Sequence, residues 1–213
     1  MKKISIIGLG YVGLPLALEF SKKYLCIGFD ISKSRVQELN ENYDCNNEYD
    51  NCTLKNSKVL ITDNSNEMID SDYFIITVPT PLKKNNKPDL GPLKKASKLV
   101  GKLIKKGAVI IYESTVYPGC TEDDCIPIIE KYSNLKHNKD FYVGYSPERI
   151  NPGDKKRKLK DIIKVVSGST PSIAKEIQSL YNSIITAGTY LLRLKLQKHQ
   201  KLLKMFKEML IYL

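Results

Sequence analysis

The stretch IIGLGYVG, residues 6–13, decides how this chain is expected to fold. It places Gly8, Gly10 and Gly13 in the spacing GxGxxG, after an apolar run at 2–7 and before a helical pattern. In that context the first glycine permits a tight turn, the second lets a pyrophosphate approach the backbone, and the third lets the helix pack closely. The N-terminus of the helix attracts the negative charge of a phosphate group. The stretch therefore predicts a dinucleotide-binding turn.

An acid follows the second predicted strand, at the position that this mechanism requires. The strand covers residues 25–29 and is followed by Asp30, whose carboxylate can accept hydrogen bonds from the adenosine ribose hydroxyls. Because a carboxylate there also repels a 2′-phosphate, we expect NAD rather than NADP, a preference that the nearby Lys33 and Arg35 weaken slightly. The predicted cofactor contacts in this part of the chain are Gly8, Gly10, Tyr11, Val12, Gly13, Asp30 and Arg35. The alternative is a glycine-rich turn that binds no nucleotide.

Strand-like and helix-like segments alternate along most of the chain. Strands are predicted at 2–7, 25–29, 59–62, 73–78, 108–112, 141–145 and 164–168. Helices are predicted at 13–23, 32–40, 90–106, 121–132 and 171–184, and a loop insertion rich in Asn and Asp at 42–58. Short apolar strands with helices between them are typical of βαβ units. The predicted fold class is α/β, a doubly wound parallel sheet of Rossmann type that is buried on both faces.

The charge and cysteine content argue against several other classes of protein. The net charge of +11 divides into +5 for residues 191–213, with six basic residues and one acid, and +6 for the rest. We expect no nucleic-acid binding, and we interpret the basic run at 155–160 as a solvated loop, with phosphate binding as the alternative. The five cysteines form no CxxC pair, which argues against disulfides and a metal site and favours a reducing cytoplasm.

The N-terminal sequence superficially resembles a signal peptide, with two lysines followed by an apolar run. Three glycines interrupt the run, and no small-residue cleavage pattern follows it, so we do not expect a cleaved leader. No stretch of eighteen apolar residues exists in the chain, so no transmembrane helix and no stable membrane insertion are expected.

Four motifs carry a resemblance to a known family. They are GLGYVGLPLA at 8–17, VPTP at 78–81, ESTVYPG at 113–119 and YSPERINPGD at 145–154. In this order and at these intervals they resemble the UDP-glucose/GDP-mannose dehydrogenases, the nucleotide-sugar 6-dehydrogenases. The last motif is most similar to the branch that acts on UDP-N-acetylhexosamines and supplies uronic acids for bacterial surface polysaccharides. The β-hydroxyacid dehydrogenases begin similarly but lack VPTP and SPER.

The resemblance implies a mechanism and a set of site residues. A sugar CH₂OH is oxidised twice, through aldehyde to acid, with two NAD consumed and a cysteine holding the intermediate. Thr115 is similar to the threonine that positions water and hydroxyl, and Glu148 to the glutamate that assists proton transfer and thioester hydrolysis. The remaining expected cofactor contacts are Val78, Pro79, Thr80, Glu113, Ser114 and Thr115. The alternative for Glu148 is an exposed loop acid paired with Arg149; a second family glutamate is replaced by Pro152.

Several parts of the family pattern have no counterpart here. The family nucleophile lies in a GGHC-type motif that this sequence lacks, and we interpret Cys120 and Cys125 as structural. The lysine and asparagine of the long central helix and the sugar-nucleotide domain are also missing. We therefore expect an NAD-binding domain at 1–190 followed by a short tail at 191–213.

The tail, LLRLKLQKHQKLLKMFKEMLIYL, differs from the helix that the family places after GTY. One nucleotide sequence that could encode this tail gives FASSKVAEASKIIENVQRDV when it is translated in the reading frame that starts at the last base of the Tyr190 codon. That second translation is nearly the family helix. We hypothesise that residues 191–213 are the frameshifted remnant of that helix. The alternative is a genuine basic amphipathic helix that suits an anionic membrane surface or a partner groove. Either way a helix is expected, because Leu, Lys, Met and Gln are good helix formers.

The function expected from the sequence is that of the NAD-binding half of a UDP-N-acetylhexosamine 6-dehydrogenase, which is cytoplasmic and inactive alone. The resemblance implies a UDP-sugar as substrate of the complete enzyme and an oligomeric assembly. The alternative is a stand-alone NAD-binding or membrane-associated module without catalytic activity.

Overall fold

The computed structural model describes residues 1–83, 88–148 and 159–193, with only the backbone at Arg193. The strands are β1 Lys3–Ile7, β2 Leu25–Phe29, β3 Leu60–Thr62, β4 Tyr73–Ile76, β5 Val109–Tyr112, β6 Tyr142–Tyr145, β7 Lys164–Gly168 and β8 Thr189–Arg193. The helices are α1 Gly13–Ser21, α2 Lys33–Asn40, α3 Asn51–Lys55, α4 Gly91–Leu103, α5 Ile126–Ser133 and α6 Pro171–Asn182. Two 3₁₀ turns, Ser65–Met68 and Leu159–Asp161, and a π-helical turn, Thr121–Cys125, complete the described elements.

One sheet contains all eight strands, in the order β3-β2-β1-β4-β5-β6-β7-β8. The first six strands are parallel, and β1 lies between β2 and β4, where the direction of winding reverses. The predicted doubly wound α/β fold is therefore confirmed. The seven predicted strands all form, within a few residues of the expected bounds.

The two faces of the sheet pack into two apolar cores. In β5, Val109 and Ile111 join a core with α1 and α6, whereas Ile110 and Tyr112 join a core with α4 and α5. Successive side chains of a strand point to opposite faces, so an unbroken apolar run is what a sheet covered on both sides requires. This explains why the central strands lack the alternation of polar and apolar residues.

The direction of β7 differs from the expected all-parallel sheet. It pairs antiparallel with β6, with Gly144 opposite Gly168 and Tyr145 opposite Ser167. A parallel pair needs a crossover to the other edge of the sheet, usually a helix, and the described residues between β6 and β7 contain only a short 3₁₀ turn. As a consequence, Lys164 at the start of β7 lies at the edge where the parallel strands end. The chain then crosses over through α6, and β8 runs parallel to β7.

A short helix, α3, lies inside the segment 42–58 that the sequence predicts to be a loop. Its N-cap is Asp50, whose carboxylate accepts a hydrogen bond from the Thr53 backbone N–H at 2.6 Å. The helix has five residues and buries only Leu54. A single buried side chain gives no periodicity, which is why the sequence pattern missed it.

The tail does not begin as a helix. Strand β8 continues to Arg193, and its pairing with β7 runs from Thr189 opposite Lys164 to Arg193 opposite Gly168. Leu191 also packs against the core on the α1 and α6 side. The helical prediction is therefore wrong for residues 191–193, because the open edge of β7 offers backbone hydrogen bonds. Residues 194–213, on which the rest of that prediction falls, lie outside the described residues.

We predict different effects for two truncations of the tail. A chain that ends at Arg193 should keep the melting temperature of the full chain, because the out-of-frame hypothesis gives residues 194–213 no selected role in the domain. A chain that ends at Tyr190 loses three residues of β8 and the packing of Leu191, a loss of about 1–2 kcal/mol that lowers the melting temperature by roughly 2–8 °C. Thermal unfolding followed by circular dichroism compares the three chains.

Two results would contradict this prediction. Equal melting temperatures for the two shortened chains would show that β8 adds no stability beyond Tyr190. A large decrease in the chain that ends at Arg193 would show that residues 194–213 pack on the domain.

Candidate functional site

The glycine-rich turn joins β1 to α1 at the carboxyl edge of the sheet. Gly8 has a φ of 97°, a conformation that favours glycine, and its N–H donates to the Phe29 carbonyl at 2.8 Å. The Thr77 hydroxyl donates to the Gly8 carbonyl at 2.7 Å, which fixes the turn to the end of β4. A Cβ at Gly13 would overlap the Gly8 carbonyl, whereas a Cβ at Gly10 would meet nothing within 4 Å. The turn is therefore tight at its base and open where a phosphate would approach.

Asp30 is held against this turn by two backbone hydrogen bonds. Its Oδ2 accepts from the Leu9 N–H at 2.7 Å and its Oδ1 accepts from the Ser32 N–H at 2.9 Å. These contacts orient the carboxylate at the end of β2 beside the glycines, and the residue stays half-buried rather than covered. The arrangement suits an acid that accepts hydrogen bonds from a ribose.

The Arg35 side chain is occupied by protein groups. Its Nε donates to the Leu9 carbonyl at 3.0 Å, and its Nη2 forms an ion pair with Asp44 Oδ1 at 2.8 Å, without hydrogen-bond alignment. Glu38 lies 3.6 Å from Nη1. Because two acids already face this guanidinium, it is poorly placed to neutralise a 2′-phosphate. Asp44 was not predicted as part of this site, because it lies buried in the supposed loop insertion and its only sequence signal is its acidic side chain.

The loops that follow β4 and β5 are bonded to each other. The Ser114 hydroxyl donates to the Val78 carbonyl, and the Thr80 hydroxyl donates to the Thr115 carbonyl at 2.7 Å. Thr115 and Tyr11 are exposed at this edge. Because parallel strands end at one edge, the predicted residues of three separate motifs are brought together there.

A buried cluster of charged groups lies beside these loops. Lys164 Nζ donates to Glu148 Oε2 at 2.9 Å and also bonds Glu113 Oε2, whose other oxygen accepts from the Tyr181 hydroxyl. Glu113 and Lys164 are each only 1% exposed. The carboxylate of Glu113, predicted to contact the cofactor, is therefore turned toward the interior. Glu148 is half-buried and paired with Lys164 rather than being an exposed loop acid, and Arg149 lies outside the described residues.

The burial of this cluster shifts its pKa values. Burial raises the pKa of Glu113 to about 7, an effect that the charge of Lys164 opposes and that of Glu148 reinforces. Burial lowers the pKa of Lys164, but the two carboxylates outweigh this effect and the pKa lies above its ordinary value. The ammonium is therefore charged at neutral pH, and the cluster takes up a proton on a carboxyl group. Lys164 and Tyr181 were not predicted as site residues, because their only sequence signals are a lysine at the start of an apolar strand and a tyrosine on an apolar helix face.

The cysteines near the site are buried in the apolar core on the α4 and α5 side. Burial raises the pKa of Cys125 to about 12 and also raises the pKa of Cys120. Both thiols are therefore protonated at neutral pH, which supports their interpretation as structural residues. Within the described ranges, no group of three or more His, Cys, Asp or Glu side chains is arranged to hold a metal ion. None of the described helices is long and apolar enough to cross a membrane.

The different surroundings of Gly10 and Gly13 predict different effects for a matched pair of variants. Gly10→Ala should keep the melting temperature, because its methyl group enters open space, but weaken NAD binding at least tenfold because that space admits the pyrophosphate. Gly13→Ala should destabilise the fold by about 1–3 kcal/mol or more, because its methyl group collides with the Gly8 carbonyl. Thermal unfolding and isothermal titration with NAD measure the two effects. Unchanged NAD affinity in Gly10→Ala would contradict this account of the turn.

The shifted pKa of Glu113 predicts how stability depends on pH. Between the ordinary pKa of 4.5 and the folded pKa of about 7, the folded chain holds a proton that the unfolded chain has released. The free energy of unfolding should therefore fall as pH rises through this window, by at most about 1.4 kcal/mol per pH unit from this group, and level off above it. Glu113→Gln should remove this contribution in urea unfolding between pH 5 and 8. The control Glu67→Gln, at an exposed acid, should retain it; an unchanged slope in Glu113→Gln would refute the assignment.

Comparisons with known proteins agree with this geometry. Over 189 residues the chain is 54% identical to the UDP-N-acetyl-D-glucosamine 6-dehydrogenase of Pseudomonas aeruginosa and 52% identical to that of Salmonella typhi. These matches cover 88% of this chain but only 45% and 44% of the two relatives. The chain thus spans less than half the length of the curated relatives it matches.

Solved structures give the same result. The UDP-D-ManNAc dehydrogenase from Pyrococcus horikoshii superimposes with a TM-score of 0.80 at 32% identity, covering 90% of this chain and 47% of that one. The NDP-N-acetyl-D-galactosaminuronic acid dehydrogenase from Methanosarcina mazei superimposes with a TM-score of 0.82 at 27% identity, covering 91% and 44%. Residues 2–185 match the NAD binding domain of the UDP-glucose/GDP-mannose dehydrogenase family, and the chain therefore belongs to that family.

Proposed function

We propose that this chain is the NAD-binding half of a dehydrogenase that oxidises the C6 hydroxyl of a UDP-N-acetylhexosamine to a uronic acid for surface polysaccharides. The observation that carries the proposal is the convergence of the glycine turn, Asp30, the two bonded loops and Glu148 at one edge of the sheet. The UDP-N-acetyl-D-glucosamine 6-dehydrogenases among the relatives support this class of substrate. Bound NAD would supply the hydride acceptor.

The chain supplies groups for cofactor binding and for the proposed proton transfer. The open space at Gly10 and the N-terminus of α1 accommodate and attract a pyrophosphate, and Asp30 accepts hydrogen bonds from the ribose. The exposed Thr115 positions the sugar hydroxyl or a water molecule. The Glu148 carboxylate accepts the proton that leaves when the hydroxyl is oxidised, and later assists the water that releases the acid.

The proposed preference for NAD rests on two acids. Asp30 places a negative charge where a 2′-phosphate would lie, and Asp44 pairs with Arg35, the arginine that the described part of the chain places close to that position. Among the described residues, NADP would therefore meet a carboxylate with no free guanidinium to offset it. This also means that Arg35 does not weaken the preference as its position in the sequence suggests.

The chain alone is proposed to bind NAD without oxidising a sugar. The second oxidation needs a thiolate to capture the aldehyde, and the described cysteines near the edge, Cys120 and Cys125, are buried as thiols. Positioning of the substrate contributes roughly 7–11 kcal/mol to such reactions, and the family supplies it from the second half. We also propose that residues 191–213 are the frameshifted remnant of the central helix.

Titration and turnover test this proposal. We expect the purified chain to bind NAD more tightly than NADP, and Asp30→Ala to reduce that difference, as measured by isothermal titration. Incubation with NAD and UDP-N-acetylglucosamine or UDP-N-acetylgalactosamine should give no increase in NADH absorbance. Restoring the reading frame after Tyr190 should produce NADH formation.

Three outcomes would overturn parts of the proposal. Equal affinity of the unmutated chain for NAD and NADP would refute the role of Asp30. Sustained NADH formation that Cys120→Ser abolishes would identify Cys120 as the nucleophile. Failure to bind either cofactor would favour a domain that has lost its family function.

A further inference from the structure

We infer that Asp44 is a positioning residue for the glycine-rich turn, so that the segment 42–58 forms part of the cofactor site. Asp44 acts through Arg35, whose side chain holds the carbonyl of Leu9. That contact in turn sets the direction of the Gly10 N–H. The inference rests on the proposed function, in which this turn binds the pyrophosphate of NAD.

The backbone of the segment fixes the direction of the Asp44 carboxylate. The side chain is buried, and Oδ1 accepts a hydrogen bond from the Asn46 N–H at 3.2 Å. Oδ2 accepts from the N–H groups of Glu48 at 3.0 Å and Tyr49 at 3.2 Å. A buried carboxylate also requires a cation beside it, and Arg35 Nη2 lies 2.8 Å from Oδ1. The segment therefore presents one oriented negative charge to the guanidinium.

The guanidinium connects this charge to the turn. Arg35 Nε donates to the Leu9 carbonyl at 3.0 Å, while the Leu9 N–H donates to Asp30 Oδ2 at 2.7 Å. The Leu9 side chain is buried over β2, where a Cβ added at Gly28 would come within 2.9 Å of it. Leu9 is therefore held at three points, by its N–H, its carbonyl and its side chain. Its carbonyl is the point that depends on Arg35.

The planarity of the peptide bond carries this constraint to the open side of the turn. In a trans peptide the C=O of one residue and the N–H of the next point in opposite directions. Because Arg35 holds the Leu9 carbonyl, the Gly10 N–H is directed away from the guanidinium. Gly10 is exposed, and no acceptor among the described residues bonds its N–H. A donor that is oriented and left without a protein partner suits a phosphate oxygen.

Two variants of the full chain test the inference by isothermal titration with NAD and by NMR of ¹⁵N-glycine-labelled protein. Asp44→Asn keeps the size of the side chain and removes its charge. We expect the dissociation constant for NAD to rise roughly tenfold, as when a hydrogen bond to a charged group is lost, and the Gly10 resonance to shift. Arg35→Lys should have the same two effects, because an ammonium can pair with Asp44 but has no Nε–H for the Leu9 carbonyl.

A matched control separates positioning from stability. Asp72 also accepts a backbone N–H, from Lys3 at 2.8 Å, and pairs with Lys105 at 3.2 Å, but it precedes β4 at the opposite edge of the sheet. Asp72→Asn should lower the melting temperature without changing the affinity for NAD or the Gly10 resonance. Gly10→Ala assigns that resonance.

Combining the two variants tests whether they act through one contact. In the double variant the dissociation constant should not exceed that of the weaker-binding single variant by more than about twofold, because both changes release the same carbonyl. Effects that multiply would show that Asp44 acts by another route and would overturn the inference.

A merely structural role of Asp44 would give a different pattern. Asp44→Asn would then lower the melting temperature as Asp72→Asn does, with the Gly10 resonance or the affinity for NAD unchanged, and either result would overturn the inference. If Asp44→Asn does not fold, Arg35→Lys provides the same readouts. If the unmutated chain does not bind NAD, the proposed function fails, whereas the Gly10 resonance, which needs no ligand, still decides whether Asp44 positions the turn.

Discussion

The structure depends on the parallel hydrogen-bond ladder that places β1 between β2 and β4. Each strand of such a ladder ends at the same edge, so the loops after β1, β2, β4, β5 and β6 must meet there. The helices that return the chain cover both faces, so most strand positions are apolar. Most of the candidate site residues consequently lie in the loops just beyond a strand. Asp30, Thr80 and Glu113 all occupy such positions.

Two buried charged side chains outside these loop positions act on other protein groups rather than facing solvent. Asp44 holds the guanidinium of Arg35, and Lys164 holds two glutamates. Buried ion pairs contribute little net stability, because removing the charges from water costs about as much as their attraction returns. In the proposed function these pairs fix charge and direction: Arg35 is withdrawn from the adenosine end of the site, and Glu148 is held at the reacting end. The pH window in which Glu113 gains its proton also lies near neutrality, where the proposed reaction would operate.

The parts of this fold that sequence reasoning could predict are those set by local physical requirements. The glycines of the turn, the acid after β2 and the apolar strands each follow from one segment alone, and the structure agrees with them. The direction of β7 could not be predicted, because periodicity reports the burial of a strand and not its orientation. Lys164 was missed for the same reason: a lysine at a strand end normally lies in solvent, and only the reversal of β7 buries it. Asp44 was missed because its partner is Arg35, on a different element, and no spacing in the sequence joins them.

The end of β8 shows how little the edge of a sheet demands of the sequence that completes it. The edge of β7 offers backbone donors and acceptors, which residues of almost any type can satisfy, and the pairing continues to Arg193. Leu191 of this segment packs on the core, where an apolar side chain is required. The residues that complete β8 therefore contribute backbone pairing and the packing of Leu191, whereas the edge at which Asp30, Thr115 and Glu148 lie is formed by the loops that follow β1 to β6.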